Sequence, residues 1–167
     1  MNLHSQKLKI MMSKTYIGID PGSSSGCIAV ITTQSGYDLR ATIEFDKHTT
    51  KEWFEELKSI AADDDCVAVL EKVHGMPGMN VVAISSFMRN VGKIEMALIA
   101  LNIPFAEVTP QTWMKYYNLK KEKDESKPDW KRRLREHLQR IMPDFKVNNN
   151  NADAMLIANY CKETQSL

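Results

Sequence analysis

The sequence predicts an α/β protein built on a five-stranded mixed sheet, with the first three strands antiparallel and helices flanking the sheet. Three observations carry this reading. The "PGSSSG" stretch between two apolar runs is too short for a crossover helix, so residues 15–20 and 26–33 must turn back on each other as a hairpin. Residues 37–45 alternate apolar and polar side chains, the pattern of a strand with one covered face. The apolar run "CVAVLEKV" comes only after a helical segment, and strand, helix, strand implies a parallel pairing.

Each element has its own signal. In residues 37–45, Leu39, Ala41, Ile43 and Phe45 share the face expected to be covered, with Asp38, Arg40, Thr42 and Glu44 opposite. Residues 50–62 predict an amphipathic helix capped by Thr50, with Trp53, Phe54, Leu57 and Ile60 at helical spacing. An acidic turn at 63–65 leads into the buried strand, and the loop "HGMPGMN" follows it. Residues 80–101 predict a long helix with Ile84, Phe87, Val91, Ile94 and Leu98 as its stripe, ended at Asn102-Ile103-Pro104. "PFAEV" is the fifth strand, and Thr109 with Pro110 starts a short helix. The polar loop "NLKKEKDESKP" precedes a basic helix at 129–142, whose Leu134, Leu138 and Ile141 face inward and whose cations face outward. A last helix covers 152–161. The expected organisation is a basic leader at 1–14, one domain at 15–163 and a tail at 164–167.

Composition narrows the function classes. A chain of 167 residues, 43% hydrophobic and 26% charged, is ordinary for one globular domain with a real core. No apolar run approaches the roughly 20 residues of a membrane-spanning helix, so no membrane association is expected. Cys27, Cys66 and Cys161 are scattered without CxxC spacing, and the histidines are dispersed, which excludes a disulfide framework and a zinc site. A reducing, cytoplasmic compartment fits, and the lysine-bearing, acid-free leader leaves organelle targeting open. The net charge of +1 is uninformative, yet residues 110–147 hold seven lysines and four arginines against six acids. Such a segment is either a binding face or a solvated helix and loop.

The acids carry the chemistry. Asp20 and Glu71 each end an apolar strand, where a charge costs folding free energy unless it is satisfied, and sites in open α/β sheets form beside strand ends. Two facing carboxylates repel, and a divalent cation removes the conflict. Oxygen ligands without nearby Cys or His favour Mg²⁺ or Mn²⁺. Asp153 on the first turn of the last helix is a third candidate, although an acid there also suits the helix dipole. Two strand-end acids and one helix-start acid are what a site holding two ions needs for hydrolysing phosphodiesters.

"GIDPGSSSGCIAVI", "VAVLEKVHGMPG", "PFAEVTPQTWMK" and "ADAMLIANY", in this order and spacing, resemble RuvC-type Holliday-junction resolvases, above all the small phage-like members. The resemblance covers residues 15–160. It implies an RNase H-like fold, a homodimer, two Mg²⁺ or Mn²⁺ ions per site, and paired nicks in opposed strands of four-way DNA that leave 5′-phosphate and 3′-hydroxyl ends. Asp20, Glu71 and Asp153 match the family's acids. The family's fourth ligand, an Asp or His one turn before the last acid, is here replaced by Asn149 or Asn150 within a run of asparagines. By the same resemblance Lys115, Lys120, Lys121 and Lys127 lie near the acidic cleft and contact phosphates, and Arg132 and Arg133 extend that surface.

His74 would meet phosphate or its own loop, and by the same resemblance Met76 with Met79 would wedge into the junction centre, unless they tuck onto the surface. The long helix is apolar on more than one face, because Val81, Val82, Met88, Met96 and Ile99 lie off its stripe. That predicts a homodimer through residues 80–101, two sites serving a twofold junction. Three rivals stand beside this reading. An actin-like nucleotide-binding protein needs two lobes, for which the chain is too short. The others are a junction-binding module weakened by its asparagines, and a nuclease of forks, flaps or RNA hybrids.

Overall fold

The computed structural model describes residues 13–22, 25–63, 65–73 and 80–165. The chain runs β1 (Lys14–Asp20), β2 (Cys27–Gln34), β3 (Tyr37–Glu44), α1 (Thr50–Asp63), β4 (Asp65–Glu71), α2 (Val81–Ala100), β5 (Phe105–Val108), α3 (Pro110–Tyr116), α4 (Lys127–Ile141) and α5 (Ala152–Gln165). The five strands lie in the order β3-β2-β1-β4-β5. β1 pairs antiparallel with β2, and β2 with β3. β1 and β4 are parallel, as are β4 and β5. This is the mixed sheet the sequence predicts.

The period of two along β1 divides its side chains between two cores. Ile17 and Ile19 join Ile28, Val30, Ala68 and Leu70 under Trp53 and Leu57 of α1 and Ile94 and Leu98 of α2. Tyr16 joins Ala29, Ile31 and Val69 under α3, α4 and α5, where Trp113, Trp130, Leu134, Leu138 and Leu156 are buried. Each large aliphatic side chain so buried contributes about 1.5–3 kcal/mol. Cys27, Cys66 and Cys161 are all buried, and none is in a disulfide. α5 lies directly on β1: a Cβ at Gly18 would overlap the Ala158 nitrogen and the Ala154 carbonyl. Glycine at position 18 is what lets the start of α5 approach the end of β1.

Several local expectations are corrected. β3 alternates, but Leu39 is 62% exposed and Ala41 is exposed too; only Ile43 and Phe45 are covered. β3 is an edge strand, and the core reaches only its last residues. Thr49, not Thr50, caps α1, in a reciprocal pair with Glu52: each backbone N–H donates to the other's side-chain oxygen. α4 begins two residues before the expected start, because Ser126 accepts from the Asp129 N–H as its N-cap and Pro128 fits the first turn. Its Ile141 is exposed, and Trp130 replaces it in the buried stripe. In α2 the first fully buried residue is Val91, and of the expected stripe Ile84 and Phe87 are only half-buried. Asn102 adopts a left-handed φ of 53°, and the Ile103 N–H closes the helix onto the Leu98 carbonyl. Among the described residues, no helix is long and apolar enough to cross a membrane.

Candidate active site

Ile19 pairs with Leu70 across the parallel β1–β4 ladder, so Asp20 and Glu71 follow side by side at the ends of neighbouring strands. Ile19 and Leu70 both point into the α1–α2 core. By alternation, the two acids point the other way, toward α3, α4 and α5. Asp153 opens α5 on that same side, next to Ala154, whose carbonyl meets Gly18. Three carboxylates far apart in sequence therefore lie about the C-terminal ends of the neighbouring central strands β1 and β4.

Their surroundings differ in detail. Asp20 accepts the Gly22 N–H at 3.1 Å through Oδ1, which tightens the turn after β1, and Asn90 of α2 donates to the Pro21 carbonyl at 3.1 Å, fixing that turn from the other face. Glu71 accepts the indole N–H of the fully buried Trp113 at 2.9 Å. Burial, reinforced by the charge of Asp153, raises the Asp20 pKa to about 6, despite the Gly22 N–H and Lys131. Burial and the Asp20 charge raise Glu71 to about 7, against the Trp113 N–H and Lys131. Asp20 thus feels the charge of Asp153, and Glu71 the charges of both, as expected of carboxylates in one cleft.

Lys131 is the residue that sequence reasoning misplaced. The cations of α4 were expected to point to solvent, but the Lys131 ammonium donates to Asp153 Oδ2 within the cleft. The physical reason is its position on the wheel: Lys131 stands three and seven residues before Leu134 and Leu138, on the buried stripe. That spacing was the available signal. Burial disfavours its charge, but Asp153, Asp20 and Glu71 outweigh burial and hold its pKa above the usual lysine value. The other oxygen of Asp153, Oδ1, is buried with no hydrogen-bond partner among the described residues.

The remaining candidates are dispersed. The Asn149 carbonyl oxygen accepts from Arg135. The Asn150 amide nitrogen donates to Asp46 at 3.0 Å and to Glu44 at 3.4 Å, so neither asparagine is bonded to the three acids. Lys115, Lys120 and Lys121 surround one pocket of about 510 Å³ whose apolar lining includes Met114 and Leu119. Lys127 is exposed at the start of α4. Arg132 is exposed but paired with Asp129 at 2.9 Å. Arg133 is engaged internally, with two bonds to Glu125, one to the Lys120 carbonyl, and its guanidinium over the Trp130 ring. His74, Met76 and Met79 lie outside the described residues.

Sheet order, strand directions and helices on both faces define an RNase H-like fold. The chain is similar to the structure of Thermus thermophilus RuvC, with a TM-score of 0.51 at 13% identity, over 86% of this chain and 90% of that one. It is also similar to T. thermophilus RuvC in complex with a Holliday junction substrate, with a TM-score of 0.55 at 12% identity and the same coverage of 86% and 90%. At these identities the likeness speaks for the fold alone. No protein-family model matches the chain, and no curated protein matches its sequence.

Proposed function

We propose that this chain is a metal-dependent, structure-selective DNA endonuclease that resolves four-way junctions by nicking opposed strands, leaving 5′-phosphate and 3′-hydroxyl ends. The observation that carries the proposal is that Asp20 and Glu71 end neighbouring central strands of an RNase H-like sheet and feel the charge of Asp153. Carboxylates with raised pKa values in a cleft are candidates for function. The RuvC–Holliday junction complex among the similar structures favours branched DNA as the substrate class.

The donor set suits a hard divalent cation: oxygen ligands only, with the buried Asp153 Oδ1 unpartnered. As placed, no three of His, Cys, Asp and Glu among the described residues stand close enough to hold one metal ion. The Lys131 ammonium already lies against Asp153 as a cation. Asp20, Glu71 and Asp153 would hold two Mg²⁺ or Mn²⁺ ions, which when bound supply an activated water and stabilise charge on the leaving oxygen.

The chain's own groups do the rest. The Gly22 N–H orients Asp20, and the Trp113 N–H fixes Glu71. Lys115, Lys120, Lys121 and Lys127 grip phosphates beside the cleft, positioning DNA without reading its sequence. The exposed apolar side chains of α2, among them Val81, Val82, Met88, Met96 and Ile99, offer a face for a second copy of the chain. Two sites related by a twofold axis would then meet equivalent strands of the junction.

One observation favours a second reading, a junction-binding protein with little cleavage: Asn149 and Asn150 bring no charge and are bonded elsewhere. The test is cleavage of end-labelled four-way, three-way, forked and linear DNA with Mg²⁺ or Mn²⁺. Symmetric nicks confined to the four-way substrate are expected. Preferred cleavage of forks would overturn the substrate assignment, and tight junction binding without nicks in either metal would favour the second reading.

A further inference from the structure

Lys131 is anchored where a nuclease of this kind needs its cations. Its ammonium is bonded to Asp153 and faces Asp20 and Glu71, one carboxylate from each of α5, β1 and β4. The Lys131 side chain is 29% exposed and that of Asp153 14%, so the pair is only partly buried. Lysine suits such a place: it is a compact charge on a flexible four-carbon stem and can move without disturbing its helix.

We propose that Lys131 is a resident cation that neutralises the carboxylate cleft in the metal-free protein and is displaced from Asp153 when divalent ions enter, becoming free to contact a phosphate oxygen of the DNA. The inference rests on the metal-dependent reading of the site. An ammonium on Asp153 Oδ2 and a divalent ion on the neighbouring carboxylate oxygens repel each other strongly in a partly buried cleft. As placed, the described acids form no three-ligand group, although three acids line the cleft and the Lys131 ammonium lies against one of them. Movement of one side chain therefore couples metal entry to substrate grip, and the metal-free protein keeps Asp153 paired.

The experiment is Mn²⁺ binding to the full chain without DNA, read by electron paramagnetic resonance of the free ion, for the wild type, Lys131→Met and Lys131→Gln. Lys131→Gln keeps an N–H donor for Asp153 should the methionine variant fold poorly, and circular dichroism checks both. Removing the competing charge should tighten Mn²⁺ binding about tenfold, a modest share of one charge–charge repulsion. A second readout uses Ca²⁺ as a non-nicking ion. Wild-type junction affinity should rise on adding Ca²⁺, and the folded variants should lose most of that rise. Unchanged or weaker Mn²⁺ affinity in a folded variant would overturn the exchange while leaving a metal-binding wild type intact. Absence of Mn²⁺ binding in all three proteins would overturn the metal reading of the site, and this inference with it.

Discussion

Glu44 and Asp20 stand at the same level of the sheet, because Cys27 of β2 pairs with Asp20 on one side and with Glu44 on the other. Their surroundings are opposite. Glu44 is buried, but it accepts the Asn148 amide at 2.9 Å and the Asn150 amide at 3.4 Å, and it pairs with Lys47 at 2.9 Å. Burial alone would raise its pKa; the bonds from Lys47 and Asn148 outweigh burial and hold it below the usual carboxylate value. Asp20 accepts one backbone N–H and feels the charge of Lys131, whose own bond goes to Asp153, and its pKa rises to about 6. An acid whose donors come from its own chain is complete as structure. An acid left short of donors among other acids needs a partner from outside, and this separates a tethering carboxylate from a candidate catalytic one.

The largest effect expected is on cleavage. Asp20→Asn should lower junction nicking by roughly a thousandfold or more, since a metal site supplies several kcal/mol of charge stabilisation, and should change junction binding little. Glu44→Gln should lower the melting temperature and leave nicking near wild type. Gel assays of binding and cleavage, beside thermal melts, make the comparison. A folded Glu44→Gln protein that binds but cannot nick would erase the distinction between the two acids.

The next effect is on stability against pH. Asp20 is raised from 3.8 to about 6 and Glu71 from 4.5 to about 7, so both hold protons more tightly folded than unfolded. Their contribution is most favourable below the unfolded values and declines as pH rises through about 4 to 7, on the order of 3 kcal/mol for each carboxyl taken alone. Glu44, with its lowered value, runs the other way and loses its contribution as pH falls. In urea unfolding with a chelator present, Asp20→Asn should gain on the wild type as pH rises, and Glu44→Gln should lose. A pH-independent gap for Asp20→Asn would mean that its carboxylate is not under strain.

How much of this was readable beforehand follows from the range of each signal. The strands, their directions and the adjacency of Asp20 to Glu71 follow from periodicity and from loops too short for a crossover, all local properties. The mismatch of charge at the end of an apolar strand is local too. Lys131 was legible in principle, at three and seven residues before buried leucines, but the basic run around it suggests a solvated face. The donors of Glu44 were not legible, since Asn148 and Asn150 meet it from more than a hundred residues away in sequence. The exposed outer half of β3 was equally hidden, because alternation states which side chains share a face and not whether anything covers it.

The smallest expected effect tests what the asparagine run is for. If Asn150 were a weakened ligand, Asn150→Asp would strengthen the site and raise nicking. The geometry argues otherwise: the Asn150 amide nitrogen is a donor shared by Glu44 and Asp46. An aspartate there removes that N–H and sets a third carboxylate against two others, with only Lys47 bonded to Glu44 to offset the charge. Loss of a donor to buried or charged acceptors costs about 1–3 kcal/mol. Asn150→Asp should therefore destabilise the protein by that amount in urea unfolding at pH 7, recover part of the loss near pH 4 as the acids protonate, and leave nicking no faster. Enhanced nicking with stability unchanged would assign Asn150 to the cleft and move the boundary between the two groups of acids.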